Sequence, residues 1–421
     1  MWQPDREGMA HERLEPLVLE RMRATLALVN GNPRWATHLG RVEPNDLKRV
    51  DDWRRLPFLT KEALRDAYPY GLACGHEYRR VHMSSGTTGN PILNPCTAAD
   101  VAQWGEVMAR CYVAAGVGAA DVVQITPSFG LFTGGFGFHY GAERLGAMVV
   151  PIGAGRTLLQ LKLMRDLRAT VLAAIATYPL RLIEVAREEA FDLSTLALRV
   201  GILGSEMWSD ELRARIDRDL GIRTFDIIGM TETGGPGLGI DCPARAGLHV
   251  WEDHYYVEIV DPATGAGVPD ETEGELIVST LTREGLPLVR YRTHDLTRVV
   301  SRERCACGRT MLRVDRLRGR TDDMVIFKGV NFYPRQVEQI LLRQAGLAPE
   351  YQIVLDSAGG GERMTVHAET GPGCDGAVVV RLQRELHDLL GLSPEIRLCG
   401  LGEIERGPGK AVRVLDRRKT R

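Results

Sequence analysis

The chain is 421 residues long and 44% apolar, and its 53 basic and 55 acidic residues leave a net charge of −2. That length predicts two or three domains with a sizeable core, and the near-neutral balance argues against nucleic-acid or anionic-membrane partners and for small molecules. Charged residues from Asp5 to Arg13 interrupt any signal-peptide core, and the longest mostly apolar stretch, 169–180, is short for a membrane span. Eight cysteines spread over such a chain suggest reduced thiols in a cytoplasm rather than a disulfide framework. In chain order, the first distinctive element is a hydroxyl-rich loop, Ser84, Ser85, Gly86, Thr87, Thr88 and Gly89. Short apolar runs at 121–126, 147–152, 169–175, 198–203 and 224–228 then read as buried strands, with helical spacing at 156–167, 180–191 and 208–219 between them. This alternation predicts an α/β fold, a doubly wound and mostly parallel sheet in a domain spanning 1–318. From about 245 to 318 short strands with turn signals predict a small antiparallel subdomain. The remainder, 319–421, reads as a smaller α+β domain: a helix at 334–344, strands at 351–355 and 363–368, a helix at 376–390 and a strand at 395–398.

A loop of serine, glycine and threonine lets backbone N–H groups and hydroxyls converge on phosphate oxygens, because glycine lacks the Cβ that would block approach. It is not a Walker loop: Asn90 and Pro91 follow Gly89 where lysine and a hydroxyl would stand. A second constellation sits in the antiparallel span, where Cys242, His249, Cys305 and Cys307 offer three thiols and an imidazole. Such a set suits a closed tetrahedral zinc site with a structural role.

The motifs Gly229-Met-Thr-Glu-Thr-Gly-Gly235, Tyr291-Arg-Thr-His-Asp295, Gly319-Arg-Thr-Asp-Asp323 and Gly407-Pro-Gly-Lys410 follow the hydroxyl loop in order. Together they resemble the adenylate-forming superfamily of acyl- and aryl-CoA synthetases. Leu131-Phe-Thr-Gly-Gly135, His139-Tyr-Gly-Ala-Glu-Arg-Leu-Gly146, Trp251-Glu-Asp-His254 and Lys328-Gly-Val-Asn-Phe-Tyr-Pro334 narrow the resemblance to phenylacetate-CoA ligases.

The resemblance implies an AMP-forming ligase that activates a small aromatic carboxylic acid with Mg-ATP and passes the acyl group to coenzyme A. A carrier-protein phosphopantetheine or an amine is the alternative acceptor, and a nucleotide-binding module without turnover is the reading from another class. By the family match, the hydroxyl loop holds the β- and γ-phosphates, Thr231 adds a hydroxyl and Glu232 binds magnesium, a hard ion suited to a carboxylate. Asp295 accepts the ribose hydroxyls, Arg320 reaches phosphate or ribose, and Gly204, Ser205, Glu206, Phe225, Asp226 and Ile227 line the adenine. Lys410 bridges the attacking carboxylate and the α-phosphate. Phe129, Gly130, Phe136, Tyr178, Ile228 and Gly229 form a flat, largely apolar acyl pocket. The C-terminal domain is a mobile lid in this family, with Asp322 at the hinge and Lys328, Gly329, Val330 and Asn331 lining the acceptor tunnel. A homodimer is compatible with the resemblance. The chain departs from the family pattern at Asn90, usually lysine, at Ile228, often tyrosine, and at Phe129, commonly tyrosine.

Overall fold

The computed structural model describes residues 1–84, 90–358, 361–405 and 412–418. Ser85, Gly86, Thr87, Thr88, Gly89 and Lys410 therefore lie outside the described residues. The chain divides into two compact units: residues 1–205 with 216–317, and residues 206–215 with 318–421.

In the larger unit an antiparallel hairpin comes first, β1 (Arg80–Met83) paired with β2 (Leu93–Cys96), so the hydroxyl-rich stretch connects its two strands. The apolar runs become β3 (Val122–Ile125), β4 (Met148–Val150), β5 (Val171–Ile175), β6 (Val200–Gly204) and β7 (Arg223–Met230). All pair in parallel, in the order β4–β3–β5–β6–β7. Their near-continuous burial is what a parallel sheet covered on both faces requires. Helices Thr157–Asp166 and Tyr178–Glu188 supply the crossovers that precede β5 and β6, and Asp210–Leu220 precedes β7.

The segment from about 245 to 318 is antiparallel, but it does not form one sheet. After β8 (Gly235–Ile240) come β9 (Leu248–Val250), β10 (Tyr255–Val260), β11 (Gly274–Thr280), β12 (Tyr291–Thr297), β13 (Val299–Ser301) and β14 (Arg313–Val314). β8, β9, β14 and β13 extend the main sheet beyond β7, whereas β10, β11 and β12 pair with one another. One core runs through this unit, with Trp35, Trp53, Trp104 and Trp251 buried in it.

The smaller unit has its own core. Helix Val378–Leu390 buries Val378, Leu382, Leu386 and Leu390 at four-residue spacing, one face of a helix. That face packs with Val337, Ile340 and Leu341 of helix Pro334–Arg343 and with Ile353, Leu355 and Val366 of the strand pair Leu347–Ala358 and Gly361–Thr370. No helix among the described residues is long and apolar enough to cross a membrane.

Candidate active site

Open parallel sheets bind ligands outside the carboxyl ends of their strands, where the loops are free to carry chemistry. Four adjacent strands, β3, β5, β6 and β7, deliver candidate residues at that edge: Phe129 and Gly130 after β3, Tyr178 after β5, Gly204 and Ser205 at the end of β6, and Ile228 to Glu232 at the end of β7. Gly204 pairs with Ile227, and a Cβ at 204 would collide with the Ile227 carbonyl oxygen, so glycine is required for this close approach.

The turn after β7 carries Thr231 and Glu232. Asn94 of β2 donates its amide N–H to the Thr231 carbonyl, tying the hairpin that flanks the hydroxyl loop to this turn. Glu232 is 6% exposed, and one of its oxygens accepts from the Tyr291 hydroxyl at 3.3 Å. Tyr291 and Asp295 are both buried on β12, where alternate residues share a face. Ser84 closes the base of the loop: its N–H donates to the Ile92 carbonyl at 3.0 Å and its hydroxyl accepts from the Ile92 N–H at 3.1 Å.

Three adenine candidates are already engaged by the protein. Phe225 and Ile227 belong to the core. The Asp226 carboxylate accepts from Arg316 Nε at 2.7 Å, and its backbone N–H donates to Asp241 at 3.0 Å. In the smaller unit Arg320 forks onto Asp322 through bonds of 2.8 and 2.9 Å, so the expected ribose and hinge residues form an ion pair. Lys328 and Gly329, with φ of 49° and 80°, make the two-residue turn between Val325–Phe327 and Val330–Phe332, the conformation a tight hairpin prefers. Val330 and Asn331 pair there with Phe327 and Ile326. Glu206 lies in this unit as well.

Among the acyl candidates, Phe129 meets Phe136 edge to face at 5.3 Å between ring centroids. Tyr178 instead gives its hydroxyl to Thr157 at 3.2 Å, and burial pushes its phenol up. Around Phe136 the structure adds residues missed by the sequence reading. Tyr140 stacks on it at 5.9 Å, the Arg80 guanidinium lies 4.7 and 4.8 Å from the Phe136 and Tyr140 centroids, and His82 packs edgewise at 5.6 Å. Burial pushes the His82 imidazole down to about 4, so the ring is neutral in this apolar setting. The signal in sequence is the alternation Arg80-Val-His82, which puts both side chains on one face of a strand.

Cys242, His249, Cys305 and Cys307 converge, with their ligand atoms all within 4.8 Å of one another. The Cys242 and Cys305 sulfurs are 3.8 Å apart, and Cys307 Sγ is 3.4 Å from His249 Nε2. A tetrahedral zinc with metal–sulfur bonds of about 2.3 Å and metal–nitrogen bonds of about 2.0 Å separates its ligands by roughly 3.6–3.8 Å, so the four donors fit such an ion. The Cys307 and Cys242 thiols are pushed in opposite directions by their contact: hydrogen bonding to Cys242 and His249 pushes Cys307 down, while the same contact and burial push Cys242 up.

Residues 80–282 match the family model described as "AMP-binding enzyme", and residues 329–418 match "AMP-binding enzyme C-terminal domain". The phenylacetate-coenzyme A ligase of Aromatoleum evansii is 39% identical to this chain over 98% of it and 96% of that protein. The ligase of the same name from Pseudomonas putida is 40% identical, covering 90% of this chain and 87% of its own. Among solved structures, 2-hydroxyisobutyryl-CoA ligase in the postadenylation state, in complex with R3-HIB-AMP, superposes with a TM-score of 0.91 at 25% identity, covering 99% of this chain and 92% of that one.

Proposed function

This chain belongs to the phenylacetate-CoA ligase family of AMP-binding enzymes, and on that premise we propose that it joins a small aromatic carboxylic acid to coenzyme A by way of Mg-ATP. Acyl-adenylate-forming, AMP-forming CoA ligase activity comes with the family. The aromatic class of the acid is a finer step. It is supported by the Phe129–Phe136 edge-to-face pair beside the carboxyl ends of β3, β5, β6 and β7, since flat apolar walls favour a flat apolar ligand.

Adenylation brings a carboxylate against a phosphate, so donors and positive charge must offset two approaching anions. In this reading Ser84 to Gly89 cradle the outer phosphates and Thr231 adds its hydroxyl. Glu232, whose carboxylate accepts from Tyr291, would hold magnesium, and the ion would supply positive charge against the phosphates. Asp295 binds the ribose, and Gly204 to Glu206 with the backbone of Phe225 to Ile227 border the base. Lys410 draws the attacking carboxylate onto the α-phosphate, Arg320 assists at phosphate or ribose, and Asp322 is the hinge about which the smaller unit turns for the second step. Lys328, Gly329, Val330 and Asn331 then meet the thiol. Cys242, His249, Cys305 and Cys307 hold a structural zinc ion, four protein donors leaving no coordination position for substrate.

The observation that carries the reading is the tie between two segments, the β1–β2 hairpin and the Thr231–Glu232 turn at the carboxyl edge of the sheet, which this reading assigns to the phosphates. Carboxylate-dependent exchange of pyrophosphate into ATP, screened across aryl and short aliphatic acids, tests it. Exchange should be fastest with an aryl acid, and added coenzyme A should yield AMP and the aryl thioester. Silence with every acid would sink the ligase reading, and exchange confined to aliphatic acids would sink the aromatic one.

A further inference from the structure

Asn94 is fully buried at 0% exposure, and a buried amide must spend both its donor and its acceptor. Its N–H goes to the Thr231 carbonyl and its oxygen accepts from Arg283 Nη2 at 3.0 Å. Arg283 is itself only 3% exposed, and its Nε faces Asp100 at 3.6 Å. Asp100 cannot swing away. It accepts the backbone N–H groups of Thr97, Glu284 and Gly285 at 2.9, 2.8 and 2.9 Å. Gly234, at φ +106°, lies directly on Arg283, and a Cβ there would stand 2.8 Å from its Nη1. The turn that carries Thr231 and Glu232 therefore rests on a guanidinium, and the only side chain bridging that guanidinium to the Thr231 carbonyl among the described residues is Asn94.

We propose that Asn94, held by Arg283 on Asp100, is a positioning residue for the adenylation step: it sets the Thr231–Glu232 turn against the hairpin that carries the hydroxyl loop. This rests on the reading above that the turn handles Mg-ATP. The amide is suited to the task because it both donates and accepts, whereas an aspartate of the same shape keeps the Arg283 contact and loses the donor. The Thr231 carbonyl would then face a carboxylate, and the turn would shift away from it.

Asn94→Asp in the full chain is the test. Mg-ATP binding, read by calorimetry without acid, should weaken about 10-fold, and the pyrophosphate-exchange kcat should fall about 10- to 100-fold, the cost of a misplacement near 1 Å. The KM for the acid should stay within about two-fold, and the melting temperature close to native, because an oxygen at position 94 still accepts from Arg283. A purely structural role would lower the melting temperature and leave Mg-ATP affinity alone. Should that variant not fold, Arg283→Lys keeps the charge beside Asp100 while losing the Nη2 hydrogen bond to Asn94, and it should show the same pattern more weakly. Native-like Mg-ATP affinity and exchange in whichever variant folds would overturn the inference while leaving the ligase reading intact. A native protein silent in exchange with every acid would overturn both.

Discussion

Glu338 is a carboxylate buried on helix Pro334–Arg343 of the smaller unit. Burial pushes its carboxyl up from 4.5 to about 7; Arg413 and Arg335 oppose that shift while Glu206 and Glu350 add to it. Arg413 cannot serve it fully, because it pairs with Glu350 at 2.6 Å and lies over the Tyr351 ring. Below pH 4.5 the group is protonated folded or unfolded and carries no penalty. As pH rises through 7 the folded chain must bury a charge that the unfolded chain hydrates, so this contribution to stability is lost between those values. Glu338→Gln should therefore melt like the native protein at pH 4.5 and be stabilised at pH 8 by about 1–3 kcal/mol. Equal shifts at both values in thermal melts would refute the assignment. Single residues of this kind were the least legible in the sequence. Asn94 sits in a four-residue strand where nothing local marks its side chain as buried, and the alternation that sets His82 on one face with Arg80 does not say what that face packs against. Their partners, Arg283 and Trp104, are distant in the chain.

At the scale of elements, the parallel strands were plain because both faces are covered and the apolar run is continuous; the helices between them follow from 3.6-residue spacing. The change to short antiparallel strands was visible from turn signals, but the individual strands and their division between two sheets were not, since strand pairing is decided by partners far away in sequence. β9 and β14 are 63 residues apart at the Val250–Arg313 gap and still pair to extend the main sheet. Cys242 lies in the loop leading into β9, His249 on β9 itself, and Cys305 and Cys307 in the loop leading into β14, so a zinc ion there would tie two loops to the strand between them. Arg309 adds another tie, donating to the fully buried Glu7 at 2.7 Å. The purified protein should contain about one zinc per chain, and Cys305→Ala should lose the metal and melt at least about 3 °C lower. Native protein without stoichiometric zinc in elemental analysis would reject the site.

At the scale of the molecule, the chain joins two units with separate cores, and its proposed chemistry has two steps. Residues proposed to hold ATP stand mostly in the larger unit, whereas Lys410 falls in the stretch of sequence, 329–418, that matches the C-terminal-domain model. A lysine ammonium offsets the charge that builds as a carboxylate meets the α-phosphate, but it has no such task once the acyl-adenylate exists and a thiol attacks the carbonyl. The two half-reactions should therefore respond differently to its loss. Lys410→Ala should slow pyrophosphate exchange about 10²- to 10⁴-fold, the range expected when a charged group at the transition state is removed. Thioester formation from coenzyme A and a supplied acyl-adenylate should stay within a few-fold of native. Measured side by side on one preparation, parallel losses in both assays would mean that Lys410 supports the fold or binds a feature common to both steps. A loss confined to exchange would assign it to the first.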